Sequence, residues 1–159
     1  MVEVLVLYYS RTGNVEAMAK AVAEGVDSVE GASVRIKRVD YANIDDLISC
    51  DAVAFGSQNN FGYMAGLMKD FFERAWFIRQ KFSGKPAAAF TCGGSSSNAA
   101  LLSLEKAFSW LNLEKVSEGV VWGTREMGTP KEKDLTACKK IGEVLAKVAL
   151  KKKAEVPMD

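Results

Sequence analysis

Three stretches of this chain gather the short polar residues and glycines that bind small ligands, and the chain contains no histidine. The first is Ser10-Arg11-Thr12-Gly13-Asn14, which offers two hydroxyls, an amide and a glycine that lets the backbone come close to a ligand. It stands between an apolar run, Val2 to Leu7, and an amphipathic one, Val15 to Val26. A strand that turns sharply into a helix leaves the first helical N–H groups unpaired. Together with the positive end of the helix dipole, they form an anion site. The expected chemistry is therefore phosphate binding through N–H and O–H donors. A Walker loop is excluded because its Gly-x-x-x-x-Gly-Lys-Ser/Thr pattern is absent, and a dinucleotide turn because the loop holds only one glycine. An ordinary capped strand-to-helix turn is the plain alternative.

The second stretch is Ser57-Gln58-Asn59-Asn60-Phe61-Gly62-Tyr63, and the third is Gly93-Gly94-Ser95-Ser96-Ser97-Asn98 following Thr91-Cys92. Without histidine the chain lacks the commonest general base, the usual activator of a nucleophile and the commonest metal ligand. Chemistry must come from a cofactor or from unaided polar groups. Cys50, Cys92 and Cys138 are odd in number and far apart, which fits a reducing cytoplasm and argues against a disulfide framework or a zinc site. Cys92 reads either as a reactive thiol or as a small buried residue.

The elements that must position these loops follow from periodicity. Val2 to Leu7 suits a buried strand, and Val15, Met18, Ala19, Val22, Ala23 and Val26 share one helical face. Ser33 to Val39 alternates as a strand with one exposed face, and Asn43 can cap a short helix with Asp45 and Asp46 in its first turn. Asp51 to Gly56 reads as a buried strand ending on a glycine. A long helix carries Met64, Leu67, Met68, Phe71, Phe72, Ala75 and Trp76. Ala87 to Cys92 is a small-residue strand, followed by a helix with Leu101, Leu104, Phe108 and Leu111 inside. Lys115 to Trp122 is a further strand, and Leu135 to Val148 lies in the last helix. Five β-α repeats with apolar strands call for a parallel sheet with helices on both faces. The three polar loops then fall on its carboxyl edge, where such sheets bind ligands.

The 159 residues make one domain over 1–150 and a lysine-rich tail over 151–159. The net charge of +1 argues against a nucleic-acid or acidic-membrane footprint. The first strand begins at Val2, with no room expected for a signal peptide, and no apolar run reaches spanning length, so membrane insertion is not expected. Met64, Met68, Phe71, Phe72, Trp76 and Phe77 form a stripe broad enough for a partner helix, hence a homo-oligomer (dimer or tetramer), although core packing explains most of it.

Leu7-Tyr8-Tyr9-Ser10-Arg11-Thr12-Gly13-Asn14 resembles the FMN-phosphate loop of the flavodoxins, Ser/Thr-x-Thr-Gly-x-Thr. Tyr8-Tyr9-Ser10 with Met18-Ala19, and Gly56-Ser57 followed by Phe61-Gly62, Met64-Ala65-Gly66, Met68-Lys69 and Phe71, are similar to the WrbA-type NAD(P)H:quinone oxidoreductases. Val15 stands where a threonine is usual, Gln58-Asn59-Asn60 where Pro-Thr-Arg is usual, and Ser95-Ser96 after Gly93-Gly94 where Gln-Glu is usual. The resemblance covers about residues 4 to 110. It implies a three-layer α/β/α, doubly wound, five-stranded sheet of order 2-1-3-4-5. It also implies FMN contacts from Ser10 to Val15, from Ser57 to Gly62 and from Thr91 to Ser95. Residue chemistry agrees: Asn59, Asn60 and the Gly93-Gly94 backbone suit the polar edge of a flavin, and Phe61 or Trp122 its apolar edge. Gly62 lets a peptide approach the redox-active nitrogen. An ordinary turn also accounts for Asn59-Asn60.

Two functions follow from different classes. One is an FMN-dependent enzyme passing electrons from NAD(P)H to a quinone or similar small-molecule acceptor. The other is a flavodoxin-type electron carrier, for which the near-neutral charge offers no acidic docking field. A module that has lost its flavin is disfavoured by the retained Ser-x-Thr-Gly loop.

Overall fold

The computed structural model describes residues 1–123 and 128–157. Strand β1 (Val2–Tyr9) lies at the middle of a parallel sheet, between β2 (Ala32–Arg38) and β3 (Ala52–Gln58), with β4 (Pro86–Cys92) beyond β3. Its side chains alternate between two cores. Val2, Val4, Val6 and Tyr8 pack under helices α1 (Asn14–Asp27) and α5 (Glu132–Glu155), whereas Leu5 and Leu7 face α3 (Gly66–Trp76) and α4 (Ser97–Trp110). Both faces are covered, which is why the strand reads as a continuous apolar run rather than an alternating one. On the second face Phe55 meets Phe72 and Phe108 with ring centroids 4.7 and 5.6 Å apart. Each such buried ring contributes about 1.5–3 kcal/mol by area.

The fifth sheet position is filled by two segments rather than the single strand expected over Lys115–Trp122. β5 (Glu114–Lys115) and β6 (Val120–Trp122) both pair parallel to β4. Helix α4 presses on the break: a Cβ at Gly119 would lie 2.6 Å from a Leu101 methyl. The strand order is otherwise 2-1-3-4-5.

β3 does not stop at Gly56 but continues through Ser57 and Gln58. Gly56 sits inside the strand because the Phe90 ring lies over it, 2.1 Å from where a Cβ would be. α3 starts at Gly66, after Met64. Only Met68, Phe71, Phe72 and Ala75 of its stripe are buried, and Leu67 and Trp76 face outward. The short helix α2 (Ile44–Ser49) carries the cap expected at Asn43. Its Oδ1 accepts from Asp46 N–H at 3.2 Å, and Asp46 Oδ2 accepts from Asn43 N–H at 2.9 Å. α5 extends through the lysine-rich end to Glu155. There Lys152 donates to Gly84 O and Lys153 to Met1 O, at 2.7 and 2.8 Å.

Candidate functional site

Helix α1 begins without a side-chain cap. Its N-cap is Gly13, at φ 95°, a left-handed conformation that a side chain would resist, and the first helical bond runs from Ala17 N to Gly13 O at 3.0 Å. Among the described residues nothing accepts from the N–H groups of Asn14, Val15 and Glu16. The contrast with α2, which has a full capping box, removes the plain capped turn as an account of this loop. Three parallel donors at the positive end of a 14-residue helix have the arrangement that an anion would require. Ser10, which is buried, accepts from Gly13 N–H at 3.0 Å and so holds the turn open. The Thr12 hydroxyl is exposed and has no partner among the described residues.

A cavity of about 320 Å³ opens beside this turn, within the range of small-molecule sites. All three predicted loops line it: Arg11, Thr12 and Asn14 from the first, Gln58 and Asn59 from the second, and Cys92 and Gly93 from the third. Trp122 and Gly128 complete the wall. Sequence reasoning passed over Gly128, which has no polar side chain to mark it. Its carbonyl accepts from Asn14 Nδ2 at 3.0 Å, tying the segment before α5 to the start of α1.

The second and third loops are strapped together by one residue. Asn59 Nδ2 donates to Gly93 O at 2.8 Å and to Ser96 Oγ at 2.7 Å, its Oδ1 accepts from Gly62 N–H at 2.8 Å, and its own N–H donates to Cys92 O at 2.8 Å. The whole amide is used within the protein, so its role is to set the spacing between loops. Gln58 joins the first loop to the second, accepting from Arg11 N–H at 2.9 Å and donating to Asn60 Oδ1 at 2.9 Å. Asn60 and Tyr63 exchange backbone bonds across a two-residue turn, Phe61-Gly62, with φ 56° and 78°. Phe61 thus holds a conformation that bulky residues avoid, with its ring fully in solvent at the tip of the turn.

Several residues expected to touch a ligand stand behind the wall. Val15 is 1% exposed and packs in the core under α1. Ser57 donates to Gln58 O and accepts from Ala65 N–H, both at 2.8 Å, and Thr91 donates to Ser97 O at 3.2 Å. Gly94 is exposed at φ 74°, and Ser95 is exposed beside it. Ser97, in the third polar stretch, is fully buried and donates to Gly93 O at 2.8 Å, holding that loop from beneath. Cys92 is buried, and burial pushes its thiol up to about 11, so it stays protonated at neutral pH and serves as a small apolar wall.

Arg38 was not foreseen. It donates from Nη1 to Ser10 O at 2.9 Å while pairing with Asp40, and lies 5.5 Å from the centre of the Tyr9 ring. Its charge stands behind the first loop on the edge strand, a placement that only the β1–β2 pairing reveals. No group of metal-ligating side chains occurs among the described residues.

The wall fits a flavin mononucleotide in two respects: helical N–H groups unpaired among the described residues for a phosphate, and a slot between two strapped loops. The comparisons agree with that fit. A flavodoxin from Aquifex aeolicus is 43% identical over 95 residues, covering 59% of this chain and 51% of its own. An NAD(P)H dehydrogenase (quinone) from Archaeoglobus fulgidus is 32% identical across 95% of this chain and 99% of its own. The crystal structure of a flavodoxin, WrbA-like protein from Agrobacterium tumefaciens superposes with a TM-score of 0.78 at 22% identity, covering 95% and 99% of the two chains, which bears on the fold alone. The flavodoxin family model matches residues 6–140, and the chain belongs to the flavodoxin family.

Proposed function

We propose that this protein binds FMN in the cavity at the start of α1 and passes electrons from NAD(P)H through it to a quinone or similar acceptor. The observation that carries this reading is the uncapped α1 N-terminus facing a cavity walled by all three polar loops. The first-turn N–H groups of Asn14, Val15 and Glu16, with the Ser10 and Thr12 hydroxyls, would hold the phosphate. Asn59 and Ser97 fix the second and third loops as the walls of the slot. Phe61, already in solvent at the tip of the second loop, offers an apolar ring to the flavin. When bound, FMN supplies hydride acceptance and electron transfer, which a chain without histidine leaves to a cofactor. The relative named NAD(P)H dehydrogenase (quinone), aligned along nearly its whole length, supports the enzymatic form of the reading.

The reading extends to a reducing compartment, where three buried free thiols are stable. It also extends to a homo-oligomer, dimer or tetramer. The surface that suits self-association is a groove of about 450 Å³ at the far ends of α3 and α4, lined by Phe72, Trp76, Phe77 and Trp110 with Lys69 and Glu73.

A second reading, an electron carrier without its own NAD(P)H turnover, is favoured by the 43% match to a flavodoxin. One experiment separates the two. The FMN-loaded protein is mixed with NADH or NADPH and a quinone, and pyridine nucleotide oxidation is followed. Turnover is expected. A protein that binds FMN, ignores both nucleotides and accumulates a one-electron state on anaerobic titration is the carrier. A protein that takes up no FMN overturns both readings.

A further inference from the structure

Arg38 is the last residue of β2 and pairs with Tyr8 of β1, so its side chain starts from the same carboxyl edge of the sheet as the first polar loop. Its guanidinium is held in one plane by a two-point fork on Asp40, from Nε to Oδ1 at 3.1 Å and from Nη2 to Oδ2 at 3.2 Å. That leaves Nη1 for the Ser10 carbonyl at 2.9 Å. Ser10 lies one residue past the end of β1 and is buried, and its carbonyl finds this donor outside the strand ladder. The Ser10 hydroxyl in turn accepts from Gly13 N–H at 3.0 Å, and Gly13 is the N-cap of α1. A continuous chain of polar contacts thus runs from Asp40 through Arg38 and Ser10 to the turn that opens α1.

The pair is close to neutral as a unit, and its side chains are 33% and 28% exposed, so its long-range field at the loop is small and screened. What it supplies is geometry. Backbone N–H groups hold an anion well only when they converge on one point, and a turn built on glycine and short polar residues depends on its neighbours for that shape. Neither Arg38 nor Asp40 lines the cavity, so their effect reaches a ligand through Ser10. We propose that Arg38, fixed by Asp40, is a positioning residue of the phosphate turn and sets the preference for a phosphorylated flavin over an unphosphorylated one. This inference rests on the reading of the cavity as an FMN site.

The test measures dissociation constants for FMN and for riboflavin, by flavin fluorescence quenching, in the parent, Arg38→Met, Arg38→Lys and Asp40→Ala. Arg38→Met is expected to weaken FMN binding by roughly five- to tenfold, as for one lost hydrogen bond in the support of the turn, while riboflavin stays within about twofold. Arg38→Lys should lose nearly as much, because an ammonium keeps the charge without the planar fork. Asp40→Ala separates geometry from charge by sign. It frees the guanidinium while leaving the loop's surroundings more positive, so positioning requires weaker FMN binding and a plain charge effect requires tighter binding. FMN binding by Arg38→Met within about twofold of the parent, an equal loss with riboflavin, or tighter FMN binding by Asp40→Ala overturns the proposal. If Arg38→Met does not fold, Arg38→Lys and Asp40→Ala carry the same comparison of the two flavins. Thr12→Ala distinguishes the two failures. If it loses FMN while the Arg38 and Asp40 variants do not, the site stands and the Arg38 role falls; if the parent itself binds no FMN, both fall.

Discussion

At the scale of residues, Thr12 and Val15 divide the work of one loop. Thr12 is exposed, its hydroxyl without a partner among the described residues, whereas Val15 is packed into the core one residue past the start of α1. Thr12→Ala should therefore weaken FMN binding by roughly tenfold, the cost of a hydrogen bond to a charged group, and leave the unfolding midpoint of the apoprotein unchanged. Fluorescence titration and thermal melts check the two halves. Val15→Thr restores the hydroxyl that the resemblance leads one to expect, but it places that hydroxyl among apolar neighbours. It should cost about 1–3 kcal/mol in urea unfolding without tightening FMN. A tighter complex would mean that the Val15 side chain points toward the phosphate after all. The three cysteines, all buried with thiols pushed up to about 11 or 12, have no thiolate to offer at neutral pH.

Among the elements, α1 and α2 show how the same physics serves structure in one place and a site in another. α2 closes its own N-terminus through Asn43 and Asp46. The Asp46 carboxylate also takes Arg35 at 2.8 Å and Lys37 at 3.0 Å, anchoring the charged face of edge strand β2. Burial by itself raises the Asp46 pKa. The Asn43 backbone N–H, the Lys37 ammonium and the Arg35 guanidinium outweigh it and hold the carboxyl below its usual value. A carboxyl depressed in the folded state stabilises above the unfolded value near pH 4, and that contribution is lost as pH falls through the folded value. Asp46→Asn should therefore cost about 1–3 kcal/mol at pH 7, with the gap to the parent closing below about pH 4. Denaturant melts across that range check it; a deficit independent of pH would assign the loss to shape rather than charge. α1, by contrast, leaves its N-terminus open, and that omission is what makes it available to an anion.

For the whole molecule, the cavity at the three loops and the aromatic groove lie toward opposite ends of the helix pair α3 and α4. α3 begins just after the second loop and ends at Trp76, whose ring packs edge-on to Phe77 at 5.6 Å under the Arg79 guanidinium. Trp76 is 45% exposed and Phe77 76% exposed, so both rings keep apolar surface for a second copy. Sedimentation or light scattering should show an oligomer, and replacing Trp76 and Phe77 by serine should yield monomers that still bind FMN. A parent that is monomeric at high concentration would assign the groove another role.

Much of this was legible in the chain before it folded. The first four strand runs, the α1 face from Val15 to Val26, the Asn43 cap and the positions of the three polar loops all follow from local chemistry, because periodicity and turn residues act between near neighbours. The single glycine at position 13 marked the turn into α1 for the same reason. What local chemistry could not decide was which polar groups remain free once the loops meet. Ser57, Thr91 and Asn59 look as available in sequence as Thr12, yet their hydrogen bonds go to residues brought close only by the sheet and its crossovers. Trp122 reads in sequence as a flat apolar surface, and only folding buries its indole N–H without a partner among the described residues. The sequence by itself determined most of the elements and where the polar loops lie. The tertiary structure decided which donors are already satisfied and which await a ligand, because hydrogen-bond satisfaction depends on partners distant in the chain.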